Sequence, residues 1–406
     1  MNRYLAYIEQ PLKNRGDESA HRGIIRRLNL LFPKLNILII FLGESNSDIK
    51  EFIVDNPMNH YIQIPQHKGS HWALLKGLKC NLFWKLHPSI RKFISYLKKC
   101  DVIMCSPGGV NMGGFQNYEH LAFLDIATKT GKPVIYYGRS IGPFSENTQN
   151  DINFKCKSIE LLKKFAYLSV RDSKSAEEMD ALELSFSQTT DCAFLDPIDH
   201  SNSSIKELSL PEKYAVIVPN NLIWHYAFKQ CDLSIIRQFY SRLIKRLMEK
   251  YPEIGFVMIP QTYNEATYLR KDYNFFKEIE NIINSPRIRV IDETYSSDIQ
   301  QSIISKAQFI IGARYHSIVF AINQAVPFVA LSYEHKIEGL LSILNLKSRM
   351  INISSKDFAD AESTNNLIES CLDRLNLQQD SISQAREVAT SIALNKITEL
   401  KKFFLA

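Results

Sequence analysis

Residues 312–336 read GARYHSIVFAINQAVPFVALSYEHK, an apolar helix and an apolar strand with charged residues at both ends. Arg314, His316 and Ser317 fall on or just before the helix N-terminus. Unpaired backbone amides already carry partial positive charge there. Cationic side chains at that end disfavour the helix by themselves, and make sense if an anion supplies the compensating charge. Lys336 follows the next apolar strand and is expected at the same edge. A lone histidine is more often structural. Arg, His and Lys on adjacent strand ends point instead to one anion-binding site.

Four further loops follow apolar runs. In LKNRGDESA, Asn14, Gly16, Asp17 and Glu18 precede a helix. Gly16 permits a tight turn. Asp17 or Ser19 is expected to cap the helix, the alternative being that the Asp17 carboxylate or the helix amides face a ligand. SPGGVNMGGF (106–115) holds two glycine pairs, so backbone near Gly108, Gly109 and Asn111 can come close to an anion or a sugar. It is neither a dinucleotide fingerprint nor a Walker loop. In YYGRSIGPF, Arg139 follows Gly138, where an exposed guanidinium would clamp a phosphate or carboxylate, or pair with a nearby Asp. In SVRDSKS, Asp172 is expected only as a helix N-cap.

The elements that must position these loops alternate regularly. YLAYI, NILIIFLG, DVIMC, KPVIYYG and AYLSVRD read as buried strands, with amphipathic helices such as SAHRGIIRRLNLLF and NYEHLAFLDIATKTG between several of them. A Ser-, Asn- and Pro-rich stretch at 197–213 marks a boundary. The rhythm resumes with YAVIVP, a helix over 232–250, IGFVMIP, RIRVID, AQFIIGA and PFVALSY. The expected architecture is α/β, two doubly wound Rossmann-like domains with a cleft between their strand C-terminal ends. The domains are placed at 1–198 and 199–380, and a C-terminal helix from 381 to 406 is expected to pack back on the first. Residues 56–88 break the pattern. Trp72, Phe83 and Trp84 with Lys68, Lys76, Lys79 and Lys85 form either an ordinary packed insertion, which is the favoured reading, or an amphipathic surface for lipid headgroups.

A chain of 406 residues is long enough for two cores. Hydrophobic residues at 45% and charged residues at 23% are those of a globular protein. The net charge of +6 suits anionic small molecules or an anionic membrane face, and no dense Lys/Arg tract points to nucleic acid. Seven scattered cysteines argue against a disulfide framework, and no CxxC pair points to zinc. With no signal-peptide core and no run of ~18 apolar residues, a cytoplasmic enzyme or binding protein is expected.

The chain resembles the polysaccharide pyruvyl transferase family. NRGDES, SPGGVNMGG, GRSIGPF, SVRDSKS, TTDCAFL and GARYHSIVFAINQAVPFVALSYEHK carry the resemblance across residues 14–336. Val110 stands where the family often has a third consecutive glycine, and Cys192 follows Asp191 where it usually has proline. The resemblance implies a fold like that of the GT-B glycosyltransferases. It implies phosphoenolpyruvate as donor and co-substrate, no other cofactor, and pyruvate placed as a ketal on two hydroxyls of a glycan. Arg314 would then hold the phosphate or carboxylate, with Lys336 and Arg139 as supporting cations and Ser317 beside them. His316 would bind phosphate or donate the proton. His225, in PNNLIWHYAF, would reach the same site, and Trp224 beside it would either stack on a sugar or, the favoured reading, pack in the core. Asp17 is the candidate base or sugar ligand, with Asn14, Gly108, Gly109 and Asn111 on the acceptor side in the first domain. The acceptor, if lipid-linked, would bring a peripheral contact at the inner face of the membrane. The rival readings are a GT-B glycosyltransferase using a nucleotide sugar and a non-catalytic sugar- or anion-binding protein.

Overall fold

The computed structural model describes residues 3–9, 14–42, 54–64, 69–114, 116–196, 208–263, 272–292, 295–376 and 380–405. Lys68 and residues 197–207 of the expected linker lie outside them. The chain forms two compact units. The first comprises Met1–Leu12, Ala20–Asp196 and Thr390–Ala406, the second Lys13–Ser19 and Pro197–Ala389. Residues 13–19, read from the sequence as part of the first domain, are thus counted with the second.

The first unit is built on a parallel sheet. Its strands are β1 (Arg3–Glu9), β2 (Leu35–Leu42), β3 (Asn59–Ile64), β4 (Val102–Cys105), β5 (Gly108–Gly113), β6 (Val134–Gly142), β7 (Tyr167–Val170) and β8 (Ser187–Gln188). The order is β3-β2-β1-β4-β6-β7-β8, with β5 also paired to β6. Leu5 of β1 lies opposite Ile37 on one side and Val102 on the other. β4 and β6 are buried throughout, as a parallel sheet covered on both faces requires. The helix Tyr118–Thr128 is buried from His120 to Ala127, so it reads as apolar all round rather than as a striped surface helix.

Two expectations change here. β6 was expected to end at Gly138, but it runs on to Gly142 and takes Arg139 with it into the interior. The segment 56–88 is no inserted loop. β3 pairs along β2, and the helices Ser70–Lys79 and Leu82–Leu86 lead into Pro88–Lys99. Trp84 is a core residue, 3% exposed, donating its indole N–H to the Leu74 carbonyl at 3.0 Å. The last long helix, Asp380–Thr398, precedes Glu399, which accepts hydrogen bonds from the Tyr167 and Ser187 hydroxyls at 2.7 and 3.1 Å. Phe404 lies against Phe32, with ring centroids 5.0 Å apart.

The second unit holds β9 (Tyr214–Val218), β10 (Gly255–Met258), β11 (Ile288–Val290), β12 (Ile310–Gly312), β13 (Phe328–Ser332) and β14 (Met350–Asn352). All pairs are parallel, in the order β11-β10-β9-β12-β13-β14. The strand order reverses between β9 and β12. In an open α/β sheet the loops beyond the strand C-termini at such a reversal are where ligands bind. Among the described residues no helix is long and apolar enough to cross a membrane.

Candidate functional site

The loops at that reversal carry the second unit's candidate residues. Asn220, Trp224 and His225 follow β9; Gln261, Thr262 and Tyr263 follow β10; Arg314, His316 and Ser317 follow β12; Tyr333, Glu334 and Lys336 follow β13. Ile310, Ile311 and Gly312 of β12 sit opposite β9 on one side and β13 on the other, so Arg314 and Lys336 leave adjacent strands.

Arg314 occupies the N-cap position of the helix Tyr315–Asn323 in extended backbone geometry. Its guanidinium hydrogen-bonds the Asp272 carboxylate. The other oxygen of Asp272 accepts the Gln261 and Thr262 amides at 3.0 and 2.8 Å. Asp272 is 1% exposed, which makes it a fixed brace for the arginine. Burial works against the charge on Arg314, but Asp272, Tyr333 and Glu334 outweigh it and keep the guanidinium protonated. Nε of Arg314 and both side-chain polar atoms of Gln261 are buried without hydrogen-bond partners among the described residues. Buried donors in that condition are uncommon and call for a ligand or water.

Lys336, in the first turn of the helix His335–Ile343, pairs with Glu334 at 2.9 Å. Burial alone would push the Glu334 carboxyl up, but Lys336, His335 and His225 hold it below the ordinary range. His225 stacks edge-on against Tyr333 at 5.5 Å and caps a short 3-10 turn through Nδ1, which accepts the Ala227 amide at 3.4 Å. Burial lowers its pKa, with Glu334 opposing and Lys336 adding to the shift. Trp224 is half-buried rather than in the core; its indole N–H donates to Asn220 Oδ1 at 3.0 Å.

The N-terminal loop completes this group from within the same unit. The Arg15 amide donates to the Gln261 carbonyl at 2.9 Å, and its guanidinium lies 3.8 Å over the Tyr263 ring while bonding Glu18 at 3.0 Å. Glu18 in turn accepts the Ser297 amide at 3.1 Å. Gly16 rests on His316: a Cβ there would stand 1.8 Å from Cγ of the imidazole. Glycine is needed at 16 for the approach of this ring, a stronger demand than the turn read from sequence.

Several expected roles are corrected. Asn14, not Asp17 or Ser19, caps the helix: its Oδ1 accepts the Gly16 and Asp17 amides at 2.8 and 2.9 Å, and its Nδ2 donates to Asp17 at 3.0 Å. Asn14 is therefore engaged locally, whereas Asp17 is partly exposed. The Ser317 hydroxyl packs over Gly312 and donates to the Arg314 carbonyl at 2.5 Å, so it braces the turn. Arg139 is 2% exposed and donates to the carbonyls of Ser106 and Gly109 at 2.6 and 3.2 Å. It shapes the glycine loop of the first unit rather than presenting a free cation. That loop, with Gly108 at φ 153°, Gly109 and Asn111, is strand β5, and a Cβ at Gly109 would meet nothing within 4 Å. Asp172 is the N-cap expected, accepting the Ser175 amide at 2.8 Å. Arg171 forms a buried pair with Asp191 at 2.6 Å.

The cations at the second unit's strand ends are thus not bare. Arg314 and Lys336 each arrive with a carboxylate, so the compensating charge inferred from sequence is partly internal. What the pairs accomplish is orientation: the cations are held before any ligand arrives, next to two helix N-termini. Sequence reasoning missed Asp272, Arg15 and Gln261, and named Glu18 without a role. Asp272 and Glu18 share a local signal, an acid in the first turn of a helix.

The chain is similar to known proteins along most of its length. A protein from Erwinia amylovora, the amylovoran biosynthesis protein AmsJ, is 24% identical over 369 residues, 84% of this chain and 86% of that one. The UDP-GlcNAc 2-epimerase of Neisseria meningitidis superposes with a TM-score of 0.61 at 13% identity, covering 98% of each chain. The spinosyn rhamnosyltransferase SpnG superposes at 0.57 and 9% identity, over 98% of this chain and 100% of that one. These likenesses establish the GT-B-like two-domain α/β fold. The polysaccharide pyruvyl transferase family matches residues 14–335, which include the 14–18 loop, the glycine strand, Arg314, His316 and Glu334 and stop one residue short of Lys336, and the chain belongs to that family.

Proposed function

We propose that the protein transfers pyruvate from phosphoenolpyruvate onto two hydroxyls of a sugar in a polysaccharide or its lipid-linked precursor, forming a pyruvate ketal. The observation that carries this reading is Arg314. It is braced by Asp272, its Nε lacks a partner among the described residues, and it stands at the strand-order reversal beside His316 and Lys336.

Phosphoenolpyruvate carries a phosphate and a carboxylate on neighbouring atoms, which suits several oriented donors rather than one. In the proposed reaction C3 gains a proton and C2 becomes electrophilic. A sugar hydroxyl attacks C2 and loses its proton. A second hydroxyl then attacks the same carbon as the C2–O bond to phosphate breaks, its proton passes to the departing phosphate, and inorganic phosphate leaves with the bridging oxygen. Arg314 and Lys336 hold the anionic groups. His316 delivers the proton or binds the phosphate, and partly exposed Asp17 takes the proton from the sugar. An oriented acid or base of this kind typically contributes ~10²–10⁴ in rate. His225, neutral and beside Lys336, adds a donor-side contact. The glycan is assigned to backbone at Gly108, Gly109 and Asn111. The reaction as written needs no metal or cofactor beyond the co-substrate, and is placed in the cytoplasm.

The test is phosphate release from phosphoenolpyruvate across a panel of glycan acceptors, followed by product mass. Release coupled to a glycan heavier by one pyruvate ketal supports the reading. Thermal stabilisation by nucleotide sugars but not by phosphoenolpyruvate would replace it with glycosyl transfer. Stabilisation by phosphoenolpyruvate with no turnover on any acceptor would reduce it to binding.

A further inference from the structure

We propose that the helices Ser70–Lys79 and Leu82–Leu86 form a docking surface for an anionic lipid bilayer, with Trp72, Leu82 and Leu86 entering the interface and the surrounding lysines resting on the headgroups. The proposal concerns a different part of the molecule from the strand-end site and holds whatever reaction occurs there.

Charge is the first argument. Residues 69–100 contain seven Lys or Arg and no Asp or Glu, in a chain whose net charge is +6, leaving −1 for all the rest. Lys76, Lys79, Lys85, Arg91, Lys92, Lys98 and Lys99 are all exposed, and none has a carboxylate within 4 Å among the described residues. Basic residues elsewhere on the first unit are commonly paired, as Lys155 is with Glu146 and Lys164 with Glu160. A surface that leaves its cations without counter-charges is suited to a negatively charged sheet.

Exposed apolar side chains are the second argument. Trp72, Leu82 and Leu86 are 54%, 57% and 64% exposed, and come from one pair of consecutive helices. The other large exposed apolar residues, such as Leu30, Ile152 and Ile282, lie on separate elements. Trp72 meets Phe83 edge-on at 5.1 Å and carries Lys76 at 5.9 Å from its ring. Buried Trp84, with Lys129 4.6 Å over its ring, fixes the helix pair to the core beneath. The result is an apolar crest on two helices that also carry the exposed Lys76, Lys79 and Lys85, the pattern of a helix that lies in the interface plane. A nucleic acid would use the cations but leave the leucines and tryptophan uncovered.

The experiment is co-sedimentation of the full chain with vesicles of equimolar phosphatidylglycerol and phosphatidylcholine, against pure phosphatidylcholine. Binding is expected to the anionic vesicles and to fall with salt. Lys76→Ala/Lys79→Ala/Lys85→Ala should weaken it on the order of 100-fold, at about fivefold per lysine. Trp72→Ser/Leu82→Ser/Leu86→Ser should weaken it at least tenfold, while Lys245→Ala/Lys250→Ala on the second unit should leave it unchanged. On the unsubstituted protein, brominated lipids should quench a tryptophan signal that Trp72→Phe removes. Absence of binding to anionic vesicles would overturn the proposal. So would equal losses in the Lys245/Lys250 control, or binding without quenching of Trp72.

Discussion

Replacing Gly16 by alanine tests the strand-end site through a residue that has no chemistry of its own. The new Cβ would stand 1.8 Å from Cγ and 1.9 Å from Nδ1 of His316, whereas ordinary contact begins at 3.4 Å. The ring or the loop must therefore move by roughly 1.6 Å. The loop is poorly placed to yield. Its backbone is tied through Arg15 to Gln261, its turn is capped by Asn14, and Glu18 is bonded to the Ser297 amide. His316 takes most of the displacement, and misplacing a reacting group by about 1 Å typically costs about 10²-fold in rate. Gly16→Ala should lower kcat/KM for phosphoenolpyruvate by about 10²-fold, with an overpacking cost of about 1–3 kcal/mol in stability. The assay is phosphate release with a competent glycan, beside urea unfolding. His316→Gly also removes the Cβ that would stand 2.3 Å away, so in that background Gly16→Ala should cost little more, giving a coupling energy of about 1–3 kcal/mol between the two positions. Full activity in Gly16→Ala, or additive losses in the double variant, would refute the reasoning.

Asp272→Asn should raise KM for phosphoenolpyruvate at least tenfold by releasing Arg314 from its brace, and an unchanged KM would show that the brace is dispensable. Arg139→Met should remove its side-chain donor from the buried Ser106 carbonyl and the part-buried Gly109 carbonyl and cost about 2–4 kcal/mol in urea unfolding, while KM for phosphoenolpyruvate stays put. His225 has its pKa lowered below 6.5 by burial, so it is neutral when folded and gains a proton on unfolding at pH values between the folded value and 6.5. The unfolded chain then binds more protons, and stability is lost as pH falls below 6.5. Urea midpoints at pH 7.5 and 5.5 should fall further in the native protein than in His225→Gln, and equal losses would contradict the assignment.

The fold was legible because alternating apolar runs and amphipathic stretches leave few arrangements other than two parallel sheets. For the same reason Arg314 and Lys336 could be placed on neighbouring strand ends, since short strands followed by helices expose their C-terminal loops at one edge. What surrounds them could not be read. Arg314 and Asp272 are 42 residues apart and Glu18 and Ser297 are 279 apart, and nothing local announces either contact. Arg139 was misjudged because Gly138 looked like the end of a strand, while the backbone continues through it with φ 60° and carries the arginine inward. Trp72 and Trp84 were alike in sequence. Gly77 gives the Trp84 indole its seat, since a Cβ there would stand 1.7 Å from Nε1.

Residues 13–19 belong to the second unit, yet they sit at the beginning of a helix, Arg15–Leu31, whose remainder belongs to the first. The genetic boundary and the physical boundary therefore differ. A fragment spanning 197–389 would retain every strand of its sheet but lose the surface that His316, Gln261 and the Ser297 amide pack against. Such a fragment should fold poorly and recover when a peptide covering the first helix is supplied in trans. A recombination that exchanges the C-terminal half between relatives would import strand ends without the glycine shaped to fit them. Inheritance of this site is thus tied to both ends of the chain, and changes at 16 and 316 would have to arise together.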